Sequence, residues 1–219
     1  MLLGARQFFE RRGAPTPPLP YDAEVEYLQS TGTQWIDTGV VATSDTHINV
    51  RFSDYTVAGA WLFGARIAFQ NGALGVYTVS NTGNNSWLRA RGSIVSGSFT
   101  YTTIGVGVVT FDYNKATFTA TRELVPNPQT FTDTTGSFSS SPYTIYIWSV
   151  NLAGTLGNVA SAKVYGVKIC DDGVLVRDFQ PVRFTNELGQ AEGAMYDRVS
   201  GALFRNAGTG AFVIGPDKS

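Results

Sequence analysis

The sequence predicts an all-β domain, a sandwich or jelly roll. Three observations carry this. Apolar residues recur at every second position in several short runs, and Asn-Gly, Asp-Gly and Ser-Gly pairs punctuate those runs. Beyond one turn near the N-terminus, no stretch holds helical period. Among 219 residues there are 24 Gly, 13% aromatics and only 15% charged residues. Globular chains average roughly 25% charged, so this surface is polar through Thr, Ser, Asn and Gly. Such a composition excludes a coiled coil, and the aromatic content excludes wholesale disorder.

Residues 1–20 stand apart. Leu2, Leu3, Phe8 and Phe9 alternate with Arg6, Arg11 and Arg12, three cations against the single acid Glu10. Pro15, Pro17, Pro18 and Pro20 follow, a run that favours extended polyproline II and acts as a semi-rigid spacer. The expectation is an arm and spacer over 1–20 and one domain over 21–219. Four large apolar residues in a terminal arm point to anchoring on a partner, and a frayed terminus is the plain alternative.

From Tyr21 onward the elements are strands. In THINVRF, Ile48, Val50 and Phe52 alternate with His47, Asn49 and Arg51, which predicts a half-buried strand. ATFTA sets Ala116, Phe118 and Ala120 against Thr117 and Thr119. TIYIWSV is apolar on both faces and predicts a central strand covered twice. KVYGVKIC and VLVRDF, joined through Asp172-Gly173, predict a tight hairpin. Asn71-Gly72, Thr82-Gly83 and Ser200-Gly201 mark further turns. The stretches 126–142 and 151–160, rich in small polar residues, are expected as long surface loops.

Size and charge bound the function. A chain of this mass buries roughly 70% of its unfolded surface, ample for one core. Cys170 is the only cysteine and has no internal disulfide partner. With a net charge of −1, a nucleic-acid partner is not expected. No run approaches the ~20 apolar residues of a membrane span, and the apolar start ends at Arg6, too soon for a secretory signal.

Four blocks, EYLQSTGTQWIDTGV from Glu26, LFGAR (62–66), KICDDGVLVRDFQPVR (168–183) and GAMYDRVSGALFRNAGTGAFVIG (193–215), resemble the concanavalin A-like, LamG-like jelly-roll domains of gut bacteria and their phages. The resemblance implies two antiparallel sheets packed face to face, one of them concave, in a protein that binds or builds. It also implies a stand-alone phage form carried on a virion by its arm. In that setting Asp37-Thr38-Gly39 is expected to end a strand in a turn. Ser200-Gly201 is expected to bring Tyr196 and Phe204 together, and GTGAF to return the last strand beside the first.

Candidate chemistry is sparse. Glu24 and Glu26 share a strand face, but they read as a solvated edge and not as the paired carboxylates of a glycosidase. His47 and Cys170 supply too few ligands for zinc, so no metal or cofactor is expected. Asp171 and Asp172 suit a hairpin turn better than calcium. Arg66, Arg177 and Arg183 are expected in ion pairs or strand-end hydrogen bonds. The best ligand surface in the sequence is LGVYTVSNTGNNSWLRAR. There Trp87, Arg89 and Arg91 share a face, Tyr77 is expected across from them, and Asn81 lies on the rim. Rings with amide and guanidinium donors suit a glycan. Trp61 and Trp148 are further candidates. The competing reading is that these aromatics fill the sandwich or cap an interface.

The expected function is a non-enzymatic virion protein, a capsid decoration or head fibre. Leu2, Leu3, Arg6, Phe8, Phe9, Arg11 and Arg12 would hold it on other virion proteins in many copies, with homo-oligomerisation left open. The alternative is a carbohydrate-binding adhesin on a phage tail or bacterial surface.

Overall fold

The computed structural model describes residues 18–56, 59–68, 71–78, 85–101, 108–114, 117–123, 129–132, 138 and 141–219. For 78, 85–101, 109, 114, 117, 118, 122 and 129–132 it describes the backbone alone. The anchoring residues of the arm lie outside the described residues, as does Asn81.

Every regular element among the described residues is a strand, and the strands form two packed sheets. The larger sheet runs β10 (Gln129–Thr132), β9 (Thr117–Arg122), β8 (Val109–Asn114), β4 (His47–Ser53), β14 (Ser161–Asp171), β15 (Val174–Thr185), β16 (Ala191–Asp197) and β17 (Ala202–Arg205). To it β1 (Ala23–Glu24) adds on β15, while β2 (Leu28–Thr31) lies between β14 and β18 (Val213–Ile214). The smaller sheet runs β13 (Thr155–Leu156), β12 (Asn151–Leu152), β5 (Trp61–Arg66), β11 (Thr144–Ile147) and β3 (Ile36–Val41). There β6 (Ala73–Thr78) joins β5 to β7 (Asn85–Tyr101). Among the described residues the strand pairings are antiparallel except β12 on β5, which is parallel, so the smaller sheet is mixed.

The alternation read from the sequence places the core. Ile48, Val50 and Phe52 of β4 are buried, and so are Val164, Val167 and Ile169 of β14 and Phe111 and Tyr113 of β8. Phe63, Leu74 and Val76 enter the same cluster from the smaller sheet. Each fully buried large apolar side chain contributes about 1.5–3 kcal/mol. β11 sits between β3 and β5, as its apolar faces require, with Ile145 and Ile147 buried. Just after it the chain turns at Trp148, whose φ is 65°. Its indole Nε1 donates to the Ala162 carbonyl at 2.9 Å, so this buried ring bonds the segment after β11 to β14 of the opposite sheet.

The hairpin of β14 and β15 turns at Asp172-Gly173, both at positive φ. Gly215 N–H donates to Tyr27 O, Glu26 N–H to Pro216 O and Lys218 N–H to Glu24 O. The chain after GTGAF thus returns to the N-terminal strands, with β18 on β2 and residues 215–218 beside Glu24–Tyr27.

A buried node ties the sheets together. Arg177 Nε donates to the Thr38 carbonyl on the smaller sheet at 3.0 Å and lies 3.7 Å from Asp197 Oδ2. Asp197 is fully buried. Its carboxylate accepts the backbone N–H groups of Asp178, Val199 and Ser200 and, at 2.6 Å, the Ser200 hydroxyl. Burial pushes its pKa up, but these bonds outweigh burial and hold it below the usual aspartate value.

Three expectations are corrected. Neither expected loop is strand-free: 126–142 holds β10, which pairs with β9, and 151–160 holds two short strands, β12 and β13, because its backbone pairs with β5 and with itself. Asp37-Thr38-Gly39 does not end β3. Asp37 Oδ1 does accept the Gly39 N–H, and Gly39 has φ 68°, but the kink is absorbed as a bulge against β11 inside the strand. Tyr196 faces Leu203, not Phe204, because a four-residue loop pairs Asp197 with Ala202. Phe204 instead meets Phe179 in the core, and Tyr196 packs on Tyr21.

Candidate functional site

Of the residues expected to bind a glycan, Tyr77 is the one whose side chain is described. It is 8% exposed and stacked on Trp61 with ring centroids 4.8 Å apart. Burial pushes its hydroxyl pKa up, with Arg66 opposing. Arg66 sits over the Trp61 ring at 5.1 Å, and burial pulls its pKa down. Trp61 and Trp148 are both buried, so the described candidate rings serve packing. In the β6–β7 register Tyr77 stands opposite Leu88, while Trp87, Arg89 and Arg91 stand opposite Thr78, Val76 and Leu74. Tyr77 therefore belongs to the other alternating set of positions.

Arg177 and Arg183 do make the expected ion pairs and strand-end bonds. Arg183 Nη2 reaches Asp217 at 2.8 Å. Glu24 is engaged by Arg198 at 3.1 Å and lies 4.0 Å from Lys218 Nζ. Among the described residues no three of His, Cys, Asp and Glu gather into a group able to hold a metal ion.

The outer face of the larger sheet carries a more organised surface, which sequence reasoning missed. In β14 the register with β4 shifts between Val164 and Gly166, leaving Tyr165 as the extra residue of a bulge. Val164 and Val167 then both enter the core, and Tyr165 and Gly166 fall together on the outer face. Bulges re-aim side chains in this way. Because Gly166 has no side chain, a dent forms beside the Tyr165 ring.

That ring is held from several sides. Tyr27 meets it edge-on at 5.6 Å, the Arg51 guanidinium lies 4.6 Å from its centre, and its hydroxyl is 3.0 Å from Ser53 Oγ. Arg51 is in turn fixed by two bonds to Glu123, at 2.5 and 3.0 Å. That bond raises the arginine pKa and lowers that of Glu123. Lys163 is bonded to Asp54 at 2.7 Å and lies over Tyr27.

The dent is a depression of about 210 Å³ lined by Asn49, Arg51, Tyr165, Lys168, Asp178 and Arg198, among others. A second, of about 350 Å³, adjoins it and is lined by His47, Asn49, Asp112, Lys168 and Cys170. Asn49 and Lys168 belong to both and oppose each other across β4 and β14. In the second depression His47 Nε2 is bonded to Asp112 Oδ1. Among the described residues, the side chains of Asn49, Lys168 and Asp178 make no hydrogen bond or ion pair. The signal for the bulge is in KVYGVKI, where Val164, Val167 and Ile169 break strict alternation beside a glycine.

No known protein-family model matches the chain, and no curated protein matches it.

Proposed function

We propose that this chain is a non-enzymatic virion protein of a bacteriophage, a capsid decoration or head fibre, whose sandwich is a concanavalin A-like, LamG-like jelly roll. The arm over 1–20 docks on other virion proteins in many copies. Leu2, Leu3, Phe8 and Phe9 fill an apolar groove, and Arg6, Arg11 and Arg12 meet acidic groups at its rim. The proline-rich spacer holds the domain off the shell. One observation carries this reading: in the sequence an apolar, basic arm and a proline-rich stretch precede a domain of strand-patterned segments. The course of Glu24–Tyr27 beside Gly215–Lys218 adds support, since attachment at that place leaves the remaining surface displayed.

The test is deletion of residues 1–20. The shortened chain is expected to fold and stay soluble but to stop co-sedimenting with phage particles. Undiminished co-sedimentation would remove the mechanism.

A second reading, a carbohydrate-binding adhesin, is compatible with the first. It is favoured by the half-buried Tyr165 ring beside unengaged polar groups on the larger sheet.

A further inference from the structure

We infer that the dent beside Tyr165 and the depression at His47 form one trough that binds a neutral oligosaccharide. The inference rests on the second reading above and names its site and ligand class; it does not depend on the arm. Four features of the trough argue for this occupant.

The first is shape. The glycine dent at about 210 Å³ is smaller than the ~300 Å³ at which pockets begin to enclose a ligand. It holds one ring against the surface. The second depression continues it along β4 from Arg51 to His47, four residues or about 13 Å of strand. A ligand that fills both is a chain of rings.

The second is chemistry. Sugars present apolar C–H faces and hydroxyls that both donate and accept. The Tyr165 ring offers the flat apolar surface, braced by Tyr27 and Arg51. The Asn49 amide donates and accepts, Asp178 accepts and Lys168 donates, and all three are unengaged within the described residues.

The third is charge. Arg51 and Arg198 line the trough but already carry Glu123 and Glu24 as partners. His47 and Asp112 are bonded to each other. The unpaired charges are then one lysine and one aspartate, Lys168 and Asp178. A polyanion would find no net cation to neutralise.

The fourth concerns backbone. β4 is paired on both sides, by β8 and β14, and β14 by β4 on one side and by β2 and β15 on the other. The floor of the trough offers no free strand edge, so an extended peptide has no ladder to join.

The experiment uses the full chain on an array of neutral oligosaccharides (glucose, mannose, xylose and N-acetylglucosamine oligomers and mucin core O-glycans), with heparin as the polyanion. Gly166→Val fills the dent. A Cβ there meets the Phe179 carbonyl at 3.4 Å, an ordinary contact, and φ is not positive, so the sheet tolerates it. Lys168→Ala, at an exposed position, is the second variant and guards against misfolding of the first. Expected are binding to a neutral class, no preference for heparin, a loss of about tenfold or more in both variants, and no change in Trp87→Ala. Neutral-glycan binding that survives Gly166→Val and Lys168→Ala, or that falls only in Trp87→Ala, overturns the site and leaves the adhesin reading standing. Binding to heparin alone overturns the ligand class. No binding to any probe overturns the site and the adhesin reading together, while the arm-deletion result is untouched.

Discussion

Replacing Asp197 by alanine removes the acceptor that organises the β16–β17 corner. Its carboxylate accepts three backbone N–H groups and one hydroxyl at 2.6 to 3.2 Å, with Arg177 at 3.7 Å, and the residue is fully buried. Alanine takes this acceptor from the N–H groups of Asp178, Val199 and Ser200 and from the Ser200 hydroxyl, and it removes the carboxylate beside Arg177, whose Nε keeps only the Thr38 carbonyl. Breaking a buried charged cluster from one side costs about 3–5 kcal/mol. For a domain of this length each kcal/mol moves the melting point by about 2–4 °C, so Asp197→Ala is expected to melt about 6–20 °C lower. The pH dependence has a definite sign. The folded pKa lies below the unfolded value of about 3.9. The carboxylate's contribution is therefore complete above that value and fades as pH falls through the folded pKa. Wild type should lose this contribution in acid below about pH 4, and Asp197→Asn should lack that part of the acid limb. The assay is urea unfolding across pH 2.5–7. An alanine variant within about 1 kcal/mol of wild type, or an asparagine variant with the full acid limb, would refute the reasoning.

Two glycines separate backbone strain from crowding. Gly173 has φ 77° with nothing within 4 Å of a Cβ, so Gly173→Ala should cost only the left-handed penalty, about 1–2 kcal/mol by chemical denaturation. A Cβ at Gly208 would lie 2.0 Å from the Thr33 carbonyl, so Gly208→Ala should force the loop off the β2–β3 connection and cost about 1–3 kcal/mol. It should also lower amide-exchange protection around Thr33. Glu123→Gln breaks an exposed pair with Arg51 and should change stability by at most about 1 kcal/mol, falling further in high salt.

Much of the fold is legible in the sequence wherever one face of a strand is buried. Ile48, Val50 and Phe52 give β4 by period, Asp172-Gly173 gives the β14–β15 hairpin by the positive φ such turns need, and TIYIWSV gives a central strand by apolarity on both faces. What escapes is offset by a single residue. The bulge at Tyr165 changes the period over one step, and that step creates the trough. The Asp37 side chain makes the local bond of a turn, yet tertiary pairing carries β3 through it. The Tyr196 partner depends on whether a loop holds an even or odd number of residues, which Ser200-Gly201 alone does not fix. Residues 151–160 are polar but short-paired, so composition reads them as loop. For a ligand surface, the aromatics pointed first to Trp87, whose side chain lies outside the described residues, and to Tyr77, Trp61 and Trp148, which are buried; the half-buried Tyr165 of the proposed trough is marked by its glycine neighbour instead.

The side-by-side course of Glu24–Tyr27 and Gly215–Lys218 makes the domain portable. A polypeptide that enters and exits at neighbouring points can be spliced into a surface loop of an unrelated scaffold through short joints, without prising its halves apart. By the same geometry, a circular permutant that fuses those points and is cut at Asp172-Gly173 keeps every sheet pairing except the one hairpin connection.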